Sequence, residues 1–175
     1  MHNLALCKQI KAAAFLEGEF TTRAGKKTSY YIDKYLFETK PEILDPLADA
    51  LATLFPASDT YDRIGAPELG AVPIAALLSV KLKKPFIIVR KNPKEYGTTN
   101  LLEGEARKGE RVVVVEDILT TGGAVLKACK GLEDNGLIIT QIIGIINREE
   151  GAFENIKNAG HTVIALFTSS DLKAC

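Results

Sequence analysis

Residues 112–124 read Val-Val-Val-Val-Glu-Asp-Ile-Leu-Thr-Thr-Gly-Gly-Ala. Four consecutive β-branched residues favour a strand buried on both faces. Two acids, Glu116 and Asp117, stand where that run stops, which sets the expected strand at 111–116. A hydroxyl- and glycine-rich turn, Thr120 to Gly123, leads into an apolar-periodic helix expected over 122–135. The N–H groups of such a turn, with the positive end of the helix dipole, can cradle a phosphate. Acids one step away can hydrogen-bond sugar hydroxyls. The plainer reading of the acid pair is a charge interaction with a helix N-terminus. Two carboxylates directly after a buried strand are costly without a ligand, so the expectation is a sugar-phosphate site.

Outward from this stretch the pattern alternates. Strands are expected at 63–66, 85–90, 137–146 and 161–167, and helices at 70–82 and 152–159. This alternation implies an α/β fold, a parallel sheet with right-handed crossovers and helices on both faces. Ligands of such sheets bind at the carboxyl ends of strands, and three of those ends carry unusual residues: 66–70, 116–123 and 147–150. Before Tyr61 the pattern differs. Leu4, Cys7, Ile10 and Ala14 recur at helical spacing and predict a helix over 3–16. Residues 20–37 are aromatic and β-branched, with Gly-Lys-Lys at 25–27, and read as an irregular hairpin. Thr39-Lys40-Pro41-Glu42 reads as a helix start, with Thr39 as the capping hydroxyl and proline in the first turn.

The polar segment 91–108 lies between two core strands. Long stretches without regular structure are uncommon in compact domains unless they bind something. This one begins beside Arg90 and carries Lys91, Lys94, Tyr96 and the small run Gly97-Thr98-Thr99-Asn100. It reads as a lid that closes on an anion, against the blander alternative of a solvated hairpin.

Composition narrows the field. The 175 residues suit one domain, and 22 basic residues balance 22 acidic ones. With zero formal charge there is no overall field for nucleic acid or an anionic membrane, so any anion site must be local. No apolar run approaches the ~18 residues of a membrane span. The N-terminus lacks the basic segment and apolar core of a signal peptide, which gives a cytoplasmic expectation. Cys7, Cys129 and Cys175 are odd in number and widely spaced, and are expected to be three reduced thiols. His2 and His161 have no ligand-spaced partner.

Val112 to Ala124 resembles the phosphoribosyl-pyrophosphate motif of the type I phosphoribosyltransferases. Further segments carry the resemblance across nearly the whole chain. Phe20-Thr-Thr-Arg-Ala-Gly-Lys-Lys-Thr-Ser-Tyr-Tyr-Ile-Asp33 is similar to the family's base-binding segment. Gly65-Ala-Pro-Glu-Leu-Gly-Ala-Val-Pro-Ile-Ala75 is similar to its pyrophosphate loop and helix. Val89-Arg-Lys-Asn-Pro-Lys-Glu-Tyr-Gly-Thr98 is similar to its catalytic lid, and Asn147-Arg-Glu-Glu-Gly151 to its arginine-bearing strand end. The motif at 112–124 points only to the superfamily; the N-terminal segment and the lid together resemble the orotate-using branch.

The resemblance implies a mostly parallel sheet flanked by helices, with an N-terminal hood (1–38 plus 161–175), a core (39–160) and a flexible lid (91–108). It implies that orotate and phosphoribosyl pyrophosphate give orotidine 5′-monophosphate and pyrophosphate, a step of pyrimidine (UMP) synthesis. It also implies magnesium, and a homodimer in which each lid reaches into the partner's site. Magnesium keeps several waters and favours substrate phosphates, so it is expected to arrive on the diphosphate without direct protein ligands.

The same resemblance distributes the roles. Arg90, Lys91, Lys94 and Tyr96 would meet pyrophosphate from the lid, with Lys94 weighing most on the rate. Glu68, Leu69 and Gly70 would form the pyrophosphate loop; relatives with lysine at the position of Leu69 have a cation that this chain lacks. Glu116 and Asp117 would hold the ribose hydroxyls and favour a cationic ring. Thr120, Thr121, Gly122, Gly123 and Ala124 would hold the 5′-phosphate. Arg23, Tyr31, Ile32, Thr120 and Arg148 would form the orotate pocket. Arg148 is the fork for the carboxylate, and Ile32 replaces an aromatic ring. Tyr96 stands where histidine is common, and Asn147 where aspartate is common. Two other readings share these motifs: a purine-type phosphoribosyltransferase, and a regulator that senses phosphoribosyl pyrophosphate.

Overall fold

The computed structural model describes residues 3–21, 25, 27–92 and 101–175. Helix α1 (Leu4–Ala14) is capped by Asn3, whose side chain accepts the Leu6 N–H at 3.2 Å. It buries Leu6, Cys7, Ile10 and Ala14. It stops short of the expected residue 16 because Phe15 already pairs with Ile32 in an antiparallel hairpin, β1 (Phe15–Thr21) with β2 (Lys27–Ile32). A one-turn helix α2 (Tyr35–Glu38), not anticipated, precedes α3 (Pro41–Ala52). Thr39 does not cap α3. Its hydroxyl donates back to the Tyr35 carbonyl at 2.6 Å and closes α2, leaving Lys40 as the N-cap.

The central sheet follows: β3 (Arg63–Pro67), α4 (Ala71–Leu82), β4 (Phe86–Val89), β5 (Leu102–Glu103), β6 (Arg111–Leu119), α5 (Gly123–Asp134), β7 (Ile138–Asn147), α6 (Ala152–Asn158) and β8 (Val163–Thr168). Helix α7 (Ser169–Ala174) comes last, with a capping box between Thr168 and Asp171. The strand order is β5-β4-β3-β6-β7-β8, and only β5, paired with β4, is antiparallel. The expected α/β fold class, a mostly parallel sheet flanked by helices, is therefore realised. Strand β5 lies inside the segment expected to be irregular, and β8 belongs to the central sheet rather than to a hood.

The valine run explains why β6 is central. Val113 and Val115 pack into the core under α1, α3 and α4, while Val112 and Val114 pack into a second core under α5 and α6. A strand buried on both faces in this way needs no polar alternation. Strand β6 also runs further than expected, because β7 pairs with it as far as Leu119↔Asn147. Glu116 and Asp117 thus lie within the strand, not after it.

The cysteine expectation is corrected. Cys7 and Cys175 form a disulfide across a sequence separation of 168. Sequence spacing gave no sign of it, because only the packing of α1 against α7 brings the two together. Cys129 is the free thiol, and burial pushes it up to about 12. Among the described residues no helix is long and apolar enough to cross a membrane.

Candidate active site

Strands β3 and β6 are neighbours, and the chain leaves them in opposite directions across the sheet, toward β4 and toward β7. This is the topological switch point at which α/β sheets open a crevice beyond their carboxyl ends. Two adjoining cavities, of about 620 and 600 Å³, occupy it. Both are bordered by Tyr31, Glu116, Thr120, Ala124 and Arg148. The first continues over Thr121, Gly122 and Gly123, the second over Glu68, Arg90, Lys91 and Asp117.

The turn after β6 is built for an anion. Gly122 has φ 83°, and a side chain there would crowd Ile156 Cγ1 at 3.1 Å and the Ala152 carbonyl at 3.3 Å. Asn155 Nδ2 donates to the Thr121 carbonyl at 2.9 Å and fixes the turn from outside. The N-cap of α5 is Gly122, which offers no side chain to its first N–H groups, so these can turn to a ligand.

The two acids lie between the cavities. Both are buried, Glu116 at 8% and Asp117 at 2% exposure. Burial first, then the charge of Asp117 and a hydrogen bond to it, holds the Glu116 carboxyl well above the usual carboxylate range. Glu116 Oε2 has no hydrogen-bond partner among the described residues. Asp117 Oδ1 accepts the Ile118 N–H at 2.5 Å, and Oδ2 accepts the ammonium of Lys34. An acid pair with an unpartnered oxygen suits a polyhydroxyl ligand.

At the far end, Arg148 follows β7 and is held by its own N–H donating to the Leu119 carbonyl at 2.8 Å. Its guanidinium lies over the Tyr30 ring at 5.1 Å and reaches Glu150 Oε1 at 2.9 Å. The Arg148 Nε is buried without a hydrogen-bond partner among the described residues. Tyr31 is 45% exposed and faces this end, tilted against Phe20 at 5.7 Å. Ile32, by contrast, is buried in the core and borders only the second cavity. Asn147 accepts the Glu149 N–H at 3.0 Å rather than contacting Arg148.

On the opposite side, the loop Glu68-Leu69-Gly70 joins β3 to α4. Its Glu68–Leu69 peptide is cis, and Leu69 is exposed. Glu68 Oε1 accepts the Lys91 N–H at 2.7 Å, and Lys127 donates to the Lys91 carbonyl at 2.9 Å. These bonds tie the loop and α5 to the root of the segment after β4. Arg90 is partly engaged by Glu103 on β5, at 3.4 Å. Arg23, Lys94 and Tyr96 lie outside the described residues.

Sequence reasoning missed Lys34 and Glu38. Lys34 borders the second cavity, and Asp117 raises its pKa despite the opposing cost of burial. Glu38 is fully buried beside them, with no hydrogen-bond partner for either oxygen among the described residues. Burial first, then Asp117, pushes it up to about 8. The only signal was their i,i+4 spacing, which says nothing about a partner 83 residues away.

The phosphoribosyl transferase domain family matches residues 37–159. The orotate phosphoribosyltransferase of Methanocella arvoryzae is 42% identical, over 95% of this chain and 93% of its own. That of Methanocaldococcus jannaschii is also 42% identical, over 97% and 94%. In structure, the chain is similar to the orotate phosphoribosyltransferase of Aeropyrum pernix, with a TM-score of 0.87 and 30% identity, over 97% of this chain and 96% of that one.

Proposed function

Since the chain belongs to the phosphoribosyl transferase domain family and, within it, to the orotate phosphoribosyltransferases, we propose that its double cavity transfers ribose 5-phosphate from phosphoribosyl pyrophosphate to orotate. The products are orotidine 5′-monophosphate and pyrophosphate. The observation that carries this reading is one crevice bordered by an anion turn, an acid pair and a half-buried arginine fork.

The 5′-phosphate sits in the turn Thr120–Gly123 against the N-terminus of α5, with Ala124 leaving the wall open. This anchors one end of the ribose and fixes its orientation. Glu116 and Asp117 accept hydrogen bonds from the ribose hydroxyls. As the C1′–pyrophosphate bond breaks, positive charge grows on the ring, and the buried carboxylate of Asp117 nearby lowers the energy of that state. Orotate stacks on Tyr31, with Thr120 at its edge, and places its carboxylate on the open Nε side of Arg148. Arg23 adds a second cation to this pocket, and Ile32 gives it an apolar wall on the side of the second cavity.

Pyrophosphate departs toward Glu68-Leu69-Gly70. Arg90, Lys91 and Lys94 neutralise it, and Tyr96 donates a hydrogen bond to it, as the lid closes and excludes water. Magnesium carried by the diphosphate would screen its charge. The acid pair and Glu68 suit its coordinated waters rather than the bare ion. The enzyme works as a homodimer that exchanges lids, in the cytoplasm.

Changing Arg148 to Ala tests the orientation of the base. The KM for orotate should rise by about tenfold or more, the worth of a charge-assisted hydrogen bond, with the KM for phosphoribosyl pyrophosphate little changed. A normal orotate KM would place the carboxylate elsewhere.

A further inference from the structure

The pyrophosphate loop of this chain presents Leu69, an exposed apolar side chain, where a cation would be useful. The leaving group is the most highly charged part of the substrate, so a loop without positive charge needs one from outside. Lys34 meets that need. It precedes α2, far from the loop in sequence, yet its ammonium would lie only 2.7 Å from a Cβ built on Gly70. It borders the same cavity as Glu68, Arg90 and Lys91. We infer that Lys34 is a pyrophosphate-binding residue, replacing in space the cation that the loop lacks in sequence.

The surroundings fit this role. The side chain of Lys34 retains 29% exposure, while that of Asp117 retains 3%. An ammonium has three donors, and Asp117 is its only hydrogen-bond acceptor among the described residues. The remaining donors are available on the cavity side. Asp117 aims the ammonium over Gly70, where any larger residue would displace both groups. The same contact links the two halves of the substrate: the acid that holds the ribose also aims the cation that receives pyrophosphate.

This inference rests on the proposed function, and calorimetric titrations with magnesium present separate the two. Wild-type protein, Lys34→Gln and Lys34→Arg are each titrated with phosphoribosyl pyrophosphate and with ribose 5-phosphate. Lys34→Gln should weaken phosphoribosyl pyrophosphate by about ten- to hundredfold, as for a lost charged hydrogen bond, and leave ribose 5-phosphate nearly unchanged. Lys34→Arg should restore most of the loss. Equal weakening of both ligands would make Lys34 only a support for Asp117 and overturn the inference, as would no weakening of either. Wild-type protein that binds neither ligand would sink the functional reading itself, and the inference with it. If Lys34→Gln does not fold, amine acylation of the wild type gives the answer. Inorganic pyrophosphate with magnesium should slow acylation of Lys34 and ribose 5-phosphate should not; no protection by pyrophosphate contradicts the assignment.

Discussion

Glu38 is a carboxyl that the fold keeps protonated near neutral pH. It is fully buried beside Asp117, and its pKa rises from 4.5 to about 8. In the unfolded chain it ionises near 4.5. Between these values the folded state binds the extra proton, so the stabilisation is complete below pH 4.5 and is lost as pH rises toward 8. Glu38→Gln should remove this decline. Its Tm should exceed that of the wild type at pH 8 by about 3 °C or more, and by less at pH 5; parallel melting curves at both pH values would refute the buried-proton account. Residues whose chemistry is local, Glu116, Asp117 and Arg148, were legible because each sits at a strand end predicted from pattern. Lys34 and Glu38 were not. Their significance depends on Asp117, and no periodicity encodes a contact between α2 and β6.

The turn between β6 and α5 carries the phosphate-binding claim at the level of elements. Gly122 has φ 83° and sits against α6. Gly122→Ala should therefore cost roughly 1–3 kcal/mol from strain and crowding, seen as a lower Tm. Ribose 5-phosphate should also bind more weakly; unchanged stability and affinity would show that the turn tolerates a side chain. The lid offers a second test. Lys94→Ala should lower turnover far more than it weakens orotate, and unchanged turnover would remove the lid lysine from the reaction. Element types could be read from periodicity, but their limits depended on neighbours. The acid pair lies inside β6 because β7 extends the pairing to Leu119. Thr39 caps nothing ahead of it because α2 claims its hydroxyl.

The whole molecule joins a sheet that carries the acids and the turn to an N-terminal hairpin that borders the same crevice. The Cys7–Cys175 disulfide fastens α1 to the residue after α7, while Tyr30 donates to Ser169 Oγ at 3.2 Å. The hairpin bearing Tyr31 is thus held against the end of the sheet bearing Arg148. Thiol counting after denaturation should find one reactive cysteine without reductant and all three with it. Three thiols without reductant would deny the cross-link. Cys7→Ser should cost about 2–4 kcal/mol, the usual worth of such a bond. The alternation of strands and helices made the parallel sheet legible, whereas this pairing depends on how α1 and α7 meet. The central claim concerns the base that the finished crevice accepts. Its most direct test follows the absorbance of orotate with phosphoribosyl pyrophosphate and magnesium, alongside parallel reactions with adenine and xanthine. Orotate should be consumed with stoichiometric release of pyrophosphate, while the purines persist; intact orotate with consumption of a purine would contradict the account.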